Sequence, residues 1–281
     1  PLFVWCIIYI MPVLNVSPDD ILEPPMVLIP AGPFIAGSGE KERALYRVPY
    51  DEPKAYSVNL PAYWIGRYEV TILEFACFIE DGGYNRPEFW SEEGWYFRWR
   101  YDWQHPRRWN DKEYRGMRLE DRPVFGVSWY EAEAYCNWLV IKTGKPYRLP
   151  ASLEWEKAAR GTDGRIFPWG DEWDPRKCNW YGQLGNISLN KDAIDPYAFT
   201  SPVGIFEAGK SPWGCYDMAG NVMEWCQDAC GKNDSYRVLR GGSFMTNEPR
   251  QLRCAWRGGT YPEIGHVHWA NLGFRVAMDA D

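Results

Sequence analysis

Eight cysteines, at positions 6, 77, 136, 178, 215, 226, 230 and 254, and three histidines, His105, His266 and His268, carry the side chains best suited to metal or redox chemistry. None of the cysteines falls in a paired C-x-x-C arrangement, and three imidazoles do not complete a tetrahedral zinc set. His266 and His268, one residue apart, would lie on one side of an extended segment, but a third ligand for a transition metal is missing. Cys226 and Cys230 lie four apart; a bond between them would suit an oxidising compartment, and scattered buried thiols account for the same count. Oxygen ligands are plentiful by comparison, and calcium takes six to eight of them from carboxylates, amides and loop carbonyls.

The elements that must hold these groups are short. Met26 to Gly37 reads as two strands around a Pro/Gly turn, and Tyr63 to Val70 as a further strand. Thr71 caps a helix over Ile72–Glu80 that Asp81-Gly-Gly closes. Ser128-Trp-Tyr-Glu131 is a capping box opening a helix to Lys142, whose Trp129, Ala132, Cys136, Leu139 and Val140 fall at core-facing spacing. A second helix spans Leu153–Arg160, with Ala151 where a capping hydroxyl would stand; that loss costs about 1 kcal/mol unless Ser152 caps one residue later. From Phe167 onward only Tyr236–Arg240 and Leu272–Met278 read as strands, so irregular backbone dominates and needs side chains or cations to satisfy it. Residues 84–122, with tryptophans at 90, 95, 99, 103 and 109, form an aromatic excursion that either packs on the body or offers a sugar- or partner-contacting surface.

Composition narrows the function classes. Seventeen Trp, 18 Tyr and 12 Phe, with 26 Gly and 22 Pro, describe a loop-rich globule filled by large rings. A formal charge of -7 gives no field that would favour a nucleic-acid backbone, so no nucleic acid is expected as partner. The stretch Pro1 to Leu14 is almost wholly apolar and shorter than the roughly 20 residues of a membrane span. Residues 1–25 therefore read as the remnant of a signal peptide or anchor plus a linker, giving a membrane tether before about residue 16 and an extracytoplasmic location (secreted, periplasmic or outward-facing); a buried strand is the alternative. Cys6 lacks the small residues of a lipid-attachment site before it.

Nine segments in order carry a resemblance: Val27-Leu-Ile-Pro-Ala-Gly-Pro-Phe, Arg67-Tyr-Glu-Val-Thr, Pro123-Val-Phe-Gly-Val-Ser-Trp-Tyr-Glu-Ala, Tyr147-Arg-Leu-Pro, Glu154-Trp-Glu-Lys-Ala-Ala-Arg-Gly, Phe167-Pro-Trp-Gly-Asp, Gly220-Asn-Val-Met-Glu-Trp, Arg240-Gly-Gly-Ser and Leu272-Gly-Phe-Arg. From about residue 25 to its end the chain resembles the formylglycine-generating-enzyme, or sulfatase-modifying-factor, family. The resemblance implies one domain over 26–281, an α+β fold of the C-type-lectin-like kind with little regular secondary structure, and structural calcium. By the same resemblance one calcium site takes the Asn179 side chain, the Trp180 carbonyl, Asp195 and the Tyr197 carbonyl. The other takes Asp217, the carbonyls of Gly220 and Val222, and Glu224, with Asp217 replacing the family's usual Asn and adding charge. Carboxylates that cap loops without metal are the competing explanation.

Formylglycine generation in this family uses a copper ion held by two cysteines just after the Gly-Gly-Ser strand, and thiolates are the natural ligands for Cu(I). Here Thr246 stands at the first of those positions, and Asn247 to Gln251 contains no thiol. Cys254 matches a different, non-catalytic position. No copper and no catalytic residue are therefore expected, and the resemblance implies a pseudoenzyme: a binding or assembly protein, such as a subunit of an envelope-associated complex, whose partner is a protein, a glycan or another subunit. Its expected contact surface is Trp256, Arg257, Tyr261, His266, His268, Trp269 and Asn271, rigid rings beside hydrogen-bonding groups. Two alternatives stay open: a maturation enzyme or oxidoreductase working through another site, and a ligand-binding protein diversified by a retroelement.

Overall fold

The computed structural model describes residues 17, 21–48, 52–112, 114, 118–181, 197, 199–267 and 270–280. The apolar stretch Pro1 to Leu14, with Cys6, lies outside them. Strands β1 (Met26–Ile29) and β2 (Gly32–Ala36) flank the expected turn but part into different sheets. β2 pairs antiparallel with β3 (Tyr56–Leu60). β1 pairs antiparallel with β4 (Tyr63–Gly66), which in turn pairs with β9 (Ala277–Asp279), so the two ends of the described chain share one sheet. A third sheet runs β7 (Gly258–Thr260), β6 (Tyr236–Arg240), β5 (Met223–Cys230), β8 (Leu272–Gly273), with β5 and β8 parallel.

Two expected strands are shorter than the sequence suggests. The one over 63–70 stops at Gly66, after which backbone groups bond singly to distant loops: Arg67 N–H to the Pro25 carbonyl at 2.7 Å and Val70 N–H to Phe274 at 2.9 Å. The one over 272–278 splits into β8 and β9, and between them Arg275 turns inward to a buried carboxylate. β5 was not expected at all.

Local chemistry explains the helices. In α2 (Ile72–Glu80) and α4 (Trp129–Thr143), Thr71 and Ser128 accept the third helical N–H while Glu74 and Glu131 reach back to the cap, and Gly144 ends α4 in a left-handed conformation. α5 (Ser152–Arg160) has no side-chain cap at Ala151; Glu154 accepts the Ala151 N–H at 2.8 Å, and Asp228 on β5 accepts the Ser152 N–H at 2.5 Å. Ser152 is thus held from outside, and its hydroxyl serves Arg240 at 2.7 Å. Two further helices, α3 (Glu92–Arg100) and α6 (Ile264–Val267), lie where the sequence suggested irregular backbone, and α1 (Glu40–Tyr46) lies in a stretch for which the sequence suggested no element.

The core is aromatic. Phe75, Phe78, Tyr135, Trp138 and Phe274 are linked by ring contacts with centroids 5.3–6.1 Å apart, clamping α2 against α4 and the segment after β8. The excursion over 84–122 mostly joins this core: Tyr84, Phe89, Trp90 and Trp103 are buried, and Trp95 and Trp109 pack on its rim. Trp99 is the exception, 68% exposed on α3. Among the described residues no helix is long and apolar enough to cross a membrane.

Candidate functional site

The turn after β6 occupies the position that the resemblance assigns to redox chemistry. Gly241 and Gly242 both take positive φ, 84° and 66°, and a Cβ on Gly242 would lie 2.7 Å from Leu252 Cδ2. The reversal buries Ser243. Its N–H donates to Thr246 Oγ1 at 2.9 Å, the Thr246 N–H returns to the Ser243 carbonyl at 2.9 Å, and Asn271 Nδ2 donates to Ser243 Oγ at 2.8 Å. Thr246 is buried and its hydroxyl is spent inside the turn. Cys254 is buried beneath, with its thiol pKa pushed up by burial. Asn271, expected on the contact surface, is instead buried as a prop for Ser243, because the short β8 that follows it draws it inward.

The two expected calcium clusters are neighbours. The Asn221 N–H donates to the Asn179 carbonyl at 2.9 Å, and Asn179 Nδ2 donates to the Phe199 carbonyl at 2.6 Å. Gly220, at φ 88°, lies so close that a Cβ would sit 2.2 Å from the Asn179 carbonyl. Trp180 Nε1 is buried without a hydrogen-bond partner among the described residues. Asp195 falls outside the described residues; Tyr197 lies beneath the Arg122 guanidinium at 5.0 Å.

In the second cluster Asp217, at φ 56°, accepts the Gly204 N–H at 2.7 Å. Glu224 is gripped by Arg275, Nε at 2.6 Å and Nη2 at 2.7 Å, and accepts Trp155 Nε1 at 2.9 Å. Sequence reasoning missed a third carboxylate. Glu69 reaches in to accept Asn221 Nδ2 at 2.7 Å and the Val222 N–H at 3.1 Å. Its signal was the Arg67-Tyr-Glu-Val-Thr segment, where a polar residue interrupts an apolar strand. Burial, then the neighbouring Asp217 and Glu224 charges, raises the Glu69 pKa; burial pushes Asp217 up to about 6. Three carboxylates thus face one guanidinium, an all-oxygen set with unbalanced negative charge that suits a hard cation. Glu224 would enter such a site with both oxygens already accepting from Arg275. Among the described residues no three or more His, Cys, Asp or Glu are gathered tightly enough to hold a metal by themselves, so backbone carbonyls would have to complete the set.

On the C-terminal face, Trp256 is half-buried, Arg257 and Tyr261 are exposed, and Tyr261 meets Tyr236 edge-on at 4.7 Å. A cavity of about 340 Å³ lies against Glu52, Cys230, Tyr236, Trp256, Arg257 and the glycines 258 and 259. A second, of about 160 Å³, adjoins it through Arg257 and is lined by Tyr56, Ser152, Asp228 and Arg240. His266 falls in α6, whose backbone alone is described there; His268 and Trp269 lie outside the described residues. Cys226 and Cys230 are free thiols, the first buried and the second half-buried.

Known proteins share this architecture. The chain is 34% identical over 258 residues to a hercynine oxygenase of Mycobacterium tuberculosis, covering 82% of this chain and 55% of that protein. It therefore spans little more than half the length of that relative. A formylglycine-generating enzyme of Thermomonospora curvata is 33% identical over 310 residues, covering 94% of this chain and 96% of the relative. Among solved structures, PvdO from Pseudomonas aeruginosa superposes with a TM-score of 0.66 at 25% identity, over 94% of this chain and all of its own. The fold is thus the C-type-lectin-like one of the formylglycine-generating enzymes. Residues 14–280 match the sulfatase-modifying factor enzyme 1-like domain, and the chain belongs to that family.

Proposed function

We propose that the chain is a non-catalytic, extracytoplasmic binding or assembly protein on this scaffold, with calcium in the joined loops around Asn179 and Asp217 and its contact face at Trp256, Arg257 and Tyr261. The observation that carries the reading is the Thr246 turn: where the resemblance calls for a copper-binding thiolate, a buried hydroxyl is bonded to Ser243. A hard oxygen donor does not replace a soft thiolate for Cu(I). The face at Trp256 adds a half-buried indole, the exposed Tyr261 ring and an exposed guanidinium beside a cavity, the residue types that anchor interfaces.

A second reading, an oxidoreductase using another site, is favoured by the names of the relatives, which are enzymes. Purified protein assayed for copper and iron content, and for oxygen consumption with thiol and phenol substrates, separates the two. The binding reading expects no stoichiometric redox metal and no turnover; finding both overturns it.

A further inference from the structure

We propose that the trough around Arg257 is a subsite for a carboxylate-bearing ligand, with the Arg257 guanidinium pairing to the carboxylate and the Trp256 indole walling its body. The proposal rests on the binding reading of this face and adds the chemistry of what binds.

Charge bookkeeping along the trough singles out Arg257. Glu52 is held by Arg253, Nη1 at 3.0 Å and Nη2 at 2.9 Å, and Glu156 by Arg160 at 2.8 Å and Arg240 at 3.0 Å. Arg240 is further saturated by Ser152 and by the carbonyls of residues 254 to 256. Asp228 is engaged at the α5 terminus. Arg257 alone lines both cavities, is exposed, and makes no ion pair among the described residues. A planar guanidinium with open donors is the side chain best matched to a carboxylate.

The wall beside it is open by design of the sequence. A Cβ on Gly258 would lie 2.8 Å from Trp256 Cη2, and one on Gly259 would lie 2.5 Å from Cys230 Sγ. Only glycines at both positions let the indole and the thiol lie flat against β7. The larger cavity, about 340 Å³, falls in the range of small-ligand sites, roughly 300–1,000 Å³.

Cys230 supplies the test, because its sulfur lies in the cavity wall while the other described cysteines are buried. The full chain is alkylated at alkaline pH with iodoacetate or with neutral iodoacetamide, and the Cys230 product is followed by peptide mass spectrometry. The iodoacetate-to-iodoacetamide rate ratio at Cys230 is expected to exceed that of a free model thiol severalfold. Arg257→Met should bring it to the model value and Arg257→Lys should leave it between. Arg237, stacked over Trp129 at 4.4 Å, stays in both variants and controls for the general positive field. Competition then assigns the source: slowing by benzoate marks a small acid, and slowing by a peptide with a free C-terminus but not by its amide marks a chain end. A wild-type ratio at the model value, a ratio unmoved by Arg257→Met, or slowing by none of these or equally by the amide overturns the proposal. Oxygen turnover on a redox metal would sink the binding reading and leave this ratio unchanged, so the two failures are distinguishable.

Discussion

At the scale of single residues, burial sets the energetics more than the surface does. Tyr135 lies among Phe75, Phe78, Trp138 and Phe274 with its hydroxyl buried and without a hydrogen-bond partner among the described residues. A buried polar group without a hydrogen bond costs about 1–3 kcal/mol, so Tyr135→Phe should stabilise the protein by about 1 kcal/mol, read as a higher denaturation midpoint with an unchanged slope. Glu74 shows the same pressure on a charge. Burial raises its pKa, and the bonds from Thr71 pull the other way without prevailing. A carboxyl raised on folding binds protons more tightly in the native state, so its ionisation subtracts stability as pH climbs from the unfolded value of 4.5 through the folded one. Glu74→Gln, which keeps an acceptor for the Thr71 N–H, should match the wild type near pH 4 and exceed it in melting temperature near pH 8. A difference that shrinks with rising pH would refute this. Thr246 is the residue whose meaning was plainest in the sequence, since a missing thiol needs no geometry; Glu69 was hidden because its partner Val222 lies 153 positions away.

At the scale of elements, what could be read from the chain was whatever carries its own punctuation. α2 and α4 announce themselves by capping boxes and α4 by Gly144, all local chemistry. α1 has only Gly39 at its cap and no side-chain bond there, and its Glu42 is paid for by Arg160 and Arg253 from distant parts of the chain. β5 escaped because consecutive residues Glu224, Trp225 and Cys226 are all buried, so it shows no alternation, and its register shifts between Trp225 and Ala229. α5 offers an element-scale test. Ala151 already has N-cap geometry, φ -66° and ψ 150°, so Ala151→Thr should add about 1 kcal/mol to stability by supplying the missing acceptor. Unchanged denaturation would mean that Asp228 already does the capping. The joined loops at Asn179 and Asp217 offer another: chelation should lower the melting temperature and added calcium should raise it with the logarithm of concentration, whereas no response would assign those carboxylates to loop capping alone.

At the scale of the whole molecule, a buried ionic network ties α1, the segment before β3, α5 and the end of β6 together. Glu42 on α1, Glu52 before β3, Glu156 and Arg160 on α5, Arg240 at the end of β6 and Arg253 are all nearly inaccessible. Arg253 sits at the junction, with Nη1 2.6 Å from Glu42 and Nη2 2.9 Å from Glu52, while Arg160 reaches Glu42 at 3.4 Å and Glu156 at 2.8 Å. Three acids and three bases balance, so each charge is tolerable only while its partners remain. Removing one member strands the others in a medium that cannot solvate them, which costs about 3–5 kcal/mol, whereas replacing a complete set by uncharged groups of similar shape is close to neutral. Arg253→Met should therefore destabilise the fold by that amount, and because burial already raises the Glu42 pKa while Arg253 holds it down, proton uptake at Glu42 should shrink the loss as pH falls. The double change Arg253→Met, Glu52→Gln, which leaves Glu42 and Glu156 balanced by Arg160 and Arg240, should recover most of the stability. Equal losses in the single and double variants would mean that the network contributes attraction rather than mutual dependence, and that the N-terminal segment is held on the C-terminal loops by its salt bridges in the ordinary surface sense.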